Sequence, residues 1–371
     1  MLGCWILGVV VGVAAASYGT ESGRIVLGKT LRDVANSAVN GSVTIGEIFG
    51  SLLGGVGARD IVVRDEDGAV FAEISQLQLA YGLRDILGGR IAMGRLTLTS
   101  PNVYIIDRPG RRLNIEELLG LGGPPGDNST GPLISFRDVQ IIDATVTIMS
   151  PAERGDTTIH EAKETADGYM RIRRIDDLYA RFPYVRISSP FRGEEAVQID
   201  IARLSAAVSD PKLQIGFARG RVEILGDTIA LSMEQVQLPG SRAEVTGSLV
   251  VTNGKVHPNL DVRSEQLNTD DVIGLVSQVP AGMTASGSIV ISSPVEGVME
   301  FYGEPFAIEG LGGGGEARGR LAMELGPEDE WAFKDTRLDL EDFDLEYIRN
   351  FFDTLPLAGR VTGYFEAQRK N

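Results

Sequence analysis

Few residues in this chain have types and spacings that could do chemistry. Gly310–Gly315, GLGGGG, matches the G-x-G-x-x-G pattern whose glycines let backbone amides approach a pyrophosphate. That chemistry needs a strand before the glycines and a helix N-terminus after them. EARGRLAMEL follows here and alternates like a strand, so the spacing predicts a turn. His160 and Glu161 begin an H-E-x-x-H zinc motif, but no second histidine stands at the required position. The other histidine, His257, precedes Pro258 in an expected turn, without the acid and nucleophile of a hydrolase. A single cysteine, Cys4, allows neither an internal disulfide nor a thiolate zinc site. No G-x-S-x-G elbow occurs. The expectation is a protein that is not an enzyme, with no catalytic residue, cofactor or metal.

Function must then lie in the elements themselves. The 371 residues are 43% hydrophobic, mostly Val, Ile, Leu and Ala, and 6% aromatic, so a large apolar surface needs cover. The 46 glycines suit many turns between short strands. A net charge of −16 argues against nucleic acid as a partner, since phosphate binding needs a basic footprint.

MLGCWILGVVVGVAAASYGT carries no charged side chain before Glu21. Twenty helical residues reach roughly 30 Å, about one bilayer core. Trp5 and Tyr18 stand near its ends, as interfacial aromatics do. Two readings compete: a transmembrane signal anchor over residues 1–22, and a cleaved signal peptide with Ala14, Ala15 and Ala16 at the small-residue site. The anchor is adopted, and either reading carries the remainder across a membrane.

Residues 28–39 have the period of a short helix. Strand-like runs with Gly punctuation follow, and DEDG at Asp65–Gly68 is a hairpin-type turn. LNIEELL is a short helix, and a Gly/Pro segment at about 120–132 is the best boundary in the chain, separating a module over 23–125 from a repetitive region over 126–371. At about 150–190 the pattern predicts a helical, basic insertion, with Ile172, Ile175 and Tyr179 on one face. Its arginines, Arg171, Arg173 and Arg174 among them, serve either a solvated face or contact with anionic head groups. From Ala196 the alternation is nearly continuous: Val197, Ile199 and Ile201 face one way, Gln198, Asp200 and Ala202 the other. Long helices are missing between these runs, so the sheet is expected to be largely antiparallel.

One pattern is written twice. LNTDDVIGLVSQVPAGMTASGSIVIS (267–292) and LEDFDLEYIRNFFDTLPLAGRVTGYFEA (340–367) share a leucine, an acidic patch, a short amphipathic run, a proline seven residues before a glycine, and a strand.

These runs, taken in order, resemble the TamB/AsmA family of envelope proteins in diderm bacteria. The likeness rests on the apolar N-terminus followed by VNGSVTIGEIFGSLLGGVGARDIVVRDEDGAVFAEISQLQLAY, on GRIAMGRLTLTSPNVYIIDRPGRRLNIEELL, on ISFRDVQIIDATVTI, and on the two repeats. The resemblance implies the N-terminal part of a longer TamB-type protein, single-pass in the inner membrane with its bulk in the periplasm. It implies a mainly β fold with few short helices: a long, curved antiparallel sheet, or β-groove, with an apolar concave face like that of chorein-type lipid-transfer proteins. The implied function is outer-membrane biogenesis, by holding phospholipid acyl chains for transport between membranes, or else by acting as a scaffold for outer-membrane protein assembly. A BamA/TamA-like outer-membrane barrel is the implied partner. Some 16–20 strands would make a trough roughly 80–90 Å long. Candidate lipid-facing positions are Val197, Ile199 and Ile201, with Val245, Leu249 and Val251; Arg171, Arg173 and Arg174 are candidate head-group contacts. Periodicity alone serves a closed β-sandwich with a dry core equally well.

Overall fold

The structure is a computed structural model that describes residues 36, 39–51, 55–80, 92–119, 134–155, 159–188, 196–252, 255–275, 281–295, 297–310, 314–326, 331–349 and 358–367. The apolar N-terminus, most of the helix read at 28–39, the Gly/Pro segment, Pro280 and Pro356 lie outside those residues. No described helix is long and apolar enough to cross a membrane. The chain divides into two compact units, residues 1–210 and 211–371. The described residues are mainly β, and in each unit they form a mostly antiparallel, open sheet.

The first unit holds β1 (Ser42–Ser51), β2 (Gly55–Arg64), β3 (Val70–Leu79), β4 (Ala92–Met93), β5 (Leu96–Ile106), α1 (Asn114–Leu119), β6 (Ile134–Pro151), β7 (Ala162–Thr165), β8 (Gly168–Ser188) and β9 (Ala196–Ser209). The ladder runs β1–β2–β3–β5–β6–β8–β9. DEDG makes its hairpin: the Gly68 amide donates to the Asp65 carbonyl, and the Asp65 side chain accepts from the Ala69 amide. The antiparallel expectation fails at β6, alongside which β4 and β5 both run parallel. The segment between β5 and β6 contains α1 and is long enough for the crossover that a parallel pair needs. α1 is tied to β5 by fully buried Asn114, whose Oδ1 accepts from the Ile106 amide and whose Nδ2 donates to the Tyr104 carbonyl. β5 and β6, on either side of the boundary read near residue 125, thus belong to one unit.

The basic insertion read as helical is corrected by the structure. MRIRRIDDLYARFPYVRIS lies in β8, a 21-residue strand paired with β6 on one side and β9 on the other. Register shifts around Asp176 to Tyr179 move the apolar set from Ile175 to Leu178 and Ala180, and that slip imitates helical spacing. Asp177 sits at the slip with φ 51°, a left-handed conformation that Asp tolerates better than most residues.

The second unit holds β10 (Lys212–Leu225), β11 (Thr228–Gln237), β12 (Arg242–Thr252), β13 (Lys255–Asn268), α2 (Thr269–Val272), β14 (Met283–Ser292), β15 (Met299–Gly310), β16 (Glu316–Leu325), β17 (Trp331–Phe333), β18 (Thr336–Asp344), α3 (Glu346–Arg349) and β19 (Arg360–Ala367). GLGGGG begins at the end of β15, and β16 follows, so the glycines lead into a strand.

A repeat finer than the two long copies organises this unit. β11, β13, β15 and β18 each take an extra residue against the next strand, at Met233–Val236, Ser264–Leu267, Gly303–Phe306 and Leu340–Phe343. In all four the slip begins with Glu: MEQV, SEQL, GEPF and LEDF. The next strands carry Gly247, Gly287, Gly319 and Gly363, in GSLVV, GSIVI, GRLAM and GYFEA. Gly247 and Gly287 have φ of 135° and 118°, which L side chains rarely adopt. A Cβ at Gly287 would press into the Pro305 carbonyl oxygen of β15, and one at Gly247 into that of Asn259 on β13. Gly287→Ala is therefore expected to lower stability by about 1–3 kcal/mol, read as a lower urea midpoint at unchanged slope.

The two long copies coincide with this finer repeat. Asn268 caps α2 by accepting from the Asp270 amide, and Asp344 accepts from the Glu346 amide at the start of α3. Asp270 and Asp271 of the first copy act as staples: Asp270 accepts from the Gly282 amide, and Asp271 accepts from the Ser241 hydroxyl and the Gly240 amide. Beneath these turns lies a buried cluster of Met283, Ala285, Phe306, Ala317, Leu338, Leu340 and Phe343, with Tyr347 packed against it.

Candidate functional site

Strand register aligns the apolar side chains into rows that cross the strands. In the second unit one row runs Val222–Leu231–Gly247–Leu260–Ile291–Phe301–Met323 from β10 to β16. The next runs Met233–Val245–Val262–Ile289–Gly303–Leu321 from β11 to β16. Residues between those of the first row belong to the other face, and there Arg221, Ser232, Thr246 and Asp261 stand in register. Exposed ion pairs such as Arg219–Glu234 and Arg320–Glu304 mark that face as solvated, although such pairs add little stability. In the first unit, Val43–Val63–Ala72–Val103–Val146–Ile175–Val208 and Ile48–Ala58–Leu77–Leu98–Ile141–Ala180–Leu204 each cross seven strands.

Burial separates these rows from an ordinary core. The small residues Ala58, Ala72 and Ala180 are buried, but Val103, Val146, Ile175, Leu231, Val245, Leu260, Val262, Ile289 and Ile291 are only half-buried. These branched side chains have strand neighbours on both sides, so the remaining exposure lies above the sheet. The closed cluster under the turns of the second unit shows what full cover looks like: Leu340 is 8% exposed and Met283 1%.

The positions expected from sequence divide between these features. Val245, Leu249 and Val251 share a face of β12; Val245 lies in the second row, and Leu249 aligns with Ile229 and Pro258. Val197 and Ile199 align with Ile187 and Val185 of β8, in turn opposite Ile134 and Phe136 of β6. β9 has unbroken register from Ala196 to Ser205, so Val197, Ile199 and Ile201 face away from Leu204 and the long rows. Ile201 is also buried, at 7% exposure. These three form a separate apolar patch.

The three arginines have three different settings. Arg171 donates to both Asp210 oxygens at 2.7 Å. These bonds hold the Asp210 carboxyl below its usual range, against the opposing effect of burial. Arg174 pairs with Glu161 at 2.7 Å. Arg173 is the one left over: its Nε is buried without a hydrogen-bond partner.

The two histidines have separate settings. His160 is exposed, with Nδ1 3.5 Å from Asp210. His257 lies in β13 rather than a turn, Nδ1 3.4 Å from the Ser293 hydroxyl. Among the described residues no group of three His, Cys, Asp or Glu side chains could hold a metal ion. The described residues of each unit present half-buried apolar rows, and those of the first unit also hold a buried guanidinium Nε without a hydrogen-bond partner. No family model matches the chain, and no curated protein is significantly similar to it.

Proposed function

We propose that the apolar rows hold lipid acyl chains, in a protein of TamB/AsmA type anchored in the inner membrane and working in the periplasm in outer-membrane biogenesis. The observation that carries this reading is the half-burial of branched apolar side chains that already have strands on both sides. A dry sandwich would cover them. Seven strands at about 4.8 Å spacing give a row about 29 Å long. That exceeds one leaflet of a roughly 30 Å bilayer core, so a whole acyl chain fits along it. Each CH₂ laid on the row contributes up to about 0.8 kcal/mol. Neighbouring rows are chemically alike, which suits a chain that slides. The repeated bulges and wide-φ glycines favour curving the sheet around such a cargo.

Protein purified without added lipid is expected to release phospholipid on organic extraction, detected by mass spectrometry, and to take up labelled phospholipid from vesicles. Failure of both overturns the lipid reading. If depletion then still lowered outer-membrane protein levels, the scaffold reading would replace it. A reporter fused after Ser22 should be active only outside the cytoplasm; cytoplasmic activity would overturn the location.

A further inference from the structure

In the first unit a cation stands beside one of the long apolar rows. β8 carries Arg171, Arg173 and Ile175 on one face. Ile175 continues the row Val103–Val146, but in the next row along, Ile105–Ile148, the place on β8 is taken by Arg173. Beyond it Ser150 of β6 stands opposite Arg171. Arg171, Arg173 and Ser150 line a cleft of about 540 Å³ together with Arg154, Ile159 and the exposed Glu153. Arg171 is satisfied by Asp210 and Arg154 by Glu164, each at 2.7 Å. Arg173 shares the field of Asp210 but makes no close ion pair among the described residues, and its buried Nε has no hydrogen-bond partner. A buried donor without an acceptor is costly, and a guanidinium fork fits the oxyanion of a carboxylate or phosphate.

We propose that this cleft receives the oxyanionic head of an amphiphile whose acyl chain lies on the Val103–Val146–Ile175 row. The site rests on the lipid reading above and makes it directional: an anionic head is fixed beside the row at β8 while the chain follows the strand neighbours from Ile175 toward β5. The cleft volume is that of a small-molecule pocket, larger than a bare carboxylate fills.

The test compares full-length protein binding to palmitoyl lysophosphatidic acid, palmitate, the neutral monopalmitoylglycerol, and inorganic phosphate. The anionic amphiphiles are expected to bind at least about tenfold more tightly than the neutral one. Palmitate and the lysophospholipid together tell whether carboxylate or phosphate is preferred. Arg173→Gln should bring the anionic amphiphiles down to the neutral level and leave the neutral one unchanged. Arg174→Gln, on the opposite face of β8, should change neither, and circular dichroism checks that both variants fold. Equal binding of anionic and neutral amphiphiles by the native chain, or an unchanged ratio in Arg173→Gln, overturns the proposal while leaving the acyl rows intact. Inorganic phosphate binding as tightly as the lysophospholipid would show an anion site that makes no use of the row, and also overturns it. If no acyl compound binds, the lipid reading falls, and this proposal with it.

Discussion

Arg108→Met is expected to destabilise the first unit by about 3–5 kcal/mol, the usual penalty for removing one partner of a buried ion pair. Arg108 and Asp65 have side-chain exposures of 7% and 4%, and the Arg108 Nη2 donates to Asp65 Oδ2 at 2.9 Å. The guanidinium also stands between acids, with Asp67 and Asp167 each at 3.5 Å and Glu117 at 4.0 Å. It therefore ties the β2–β3 turn to α1 and to the β7–β8 turn, three parts of the chain far apart in sequence. Methionine has the length to fill the space but leaves Asp65 buried and charged, and leaves the surrounding carboxylates to repel one another. Adding Asp65→Asn should recover much of the loss, because the amide oxygen can still accept from the Ala69 amide and the buried charge is gone. Urea unfolding of both variants checks this. A single variant within about 1 kcal/mol of the native chain, the value of a surface pair, would show that the cage contributes little.

None of that cage is legible in the sequence, since its members lie on separate turns and meet only through strand pairing. The strands themselves are legible, because alternation is a local property of side chains. LSMEQVQL reads as a strand, and it is one. The phase slip at Glu234–Gln235 is also written there, since the apolar positions change from Leu231 and Met233 to Val236 and Leu238. Its meaning needs the partner strand, because only register tells a bulge from a lapse in pattern. The same slip in β8, flanked by adjacent charges, reads as a helix when no partner is in view. The face taken by Val197, Ile199 and Ile201 is ambiguous for a related reason. Alternation says that they share a face, but not whether that face carries the long rows. The unpartnered Nε of Arg173 is beyond sequence altogether, since its neighbours Arg171 and Arg174 are paired with residues 39 and 13 positions away.

The open face and the closed cluster of the second unit give the sharpest test of function, because one substitution type should act oppositely on them. Leu340→Asp places a carboxylate in a cluster where Leu340 is 8% exposed, with no donor to receive it. An unpaired buried charge of this kind should cost more than about 4 kcal/mol and unfold the unit. Val262→Asp makes the same chemical change on the same strand system, between Val245 and Ile289 in the half-buried row. There the carboxylate can stay hydrated above the sheet, and the expected loss is about 1 kcal/mol, the ordinary cost of a point substitution. The circular dichroism spectrum and unfolding cooperativity should be retained. Acyl binding should nevertheless fall at least about tenfold, because a chain lying on that row must now strip water from a charge at its middle. If Val262→Asp unfolds the protein as thoroughly as Leu340→Asp, the rows are a sealed core and the sandwich is the correct architecture. If it folds and carries lipid as before, the rows are open but do not hold the cargo, and the acyl chains must lie elsewhere.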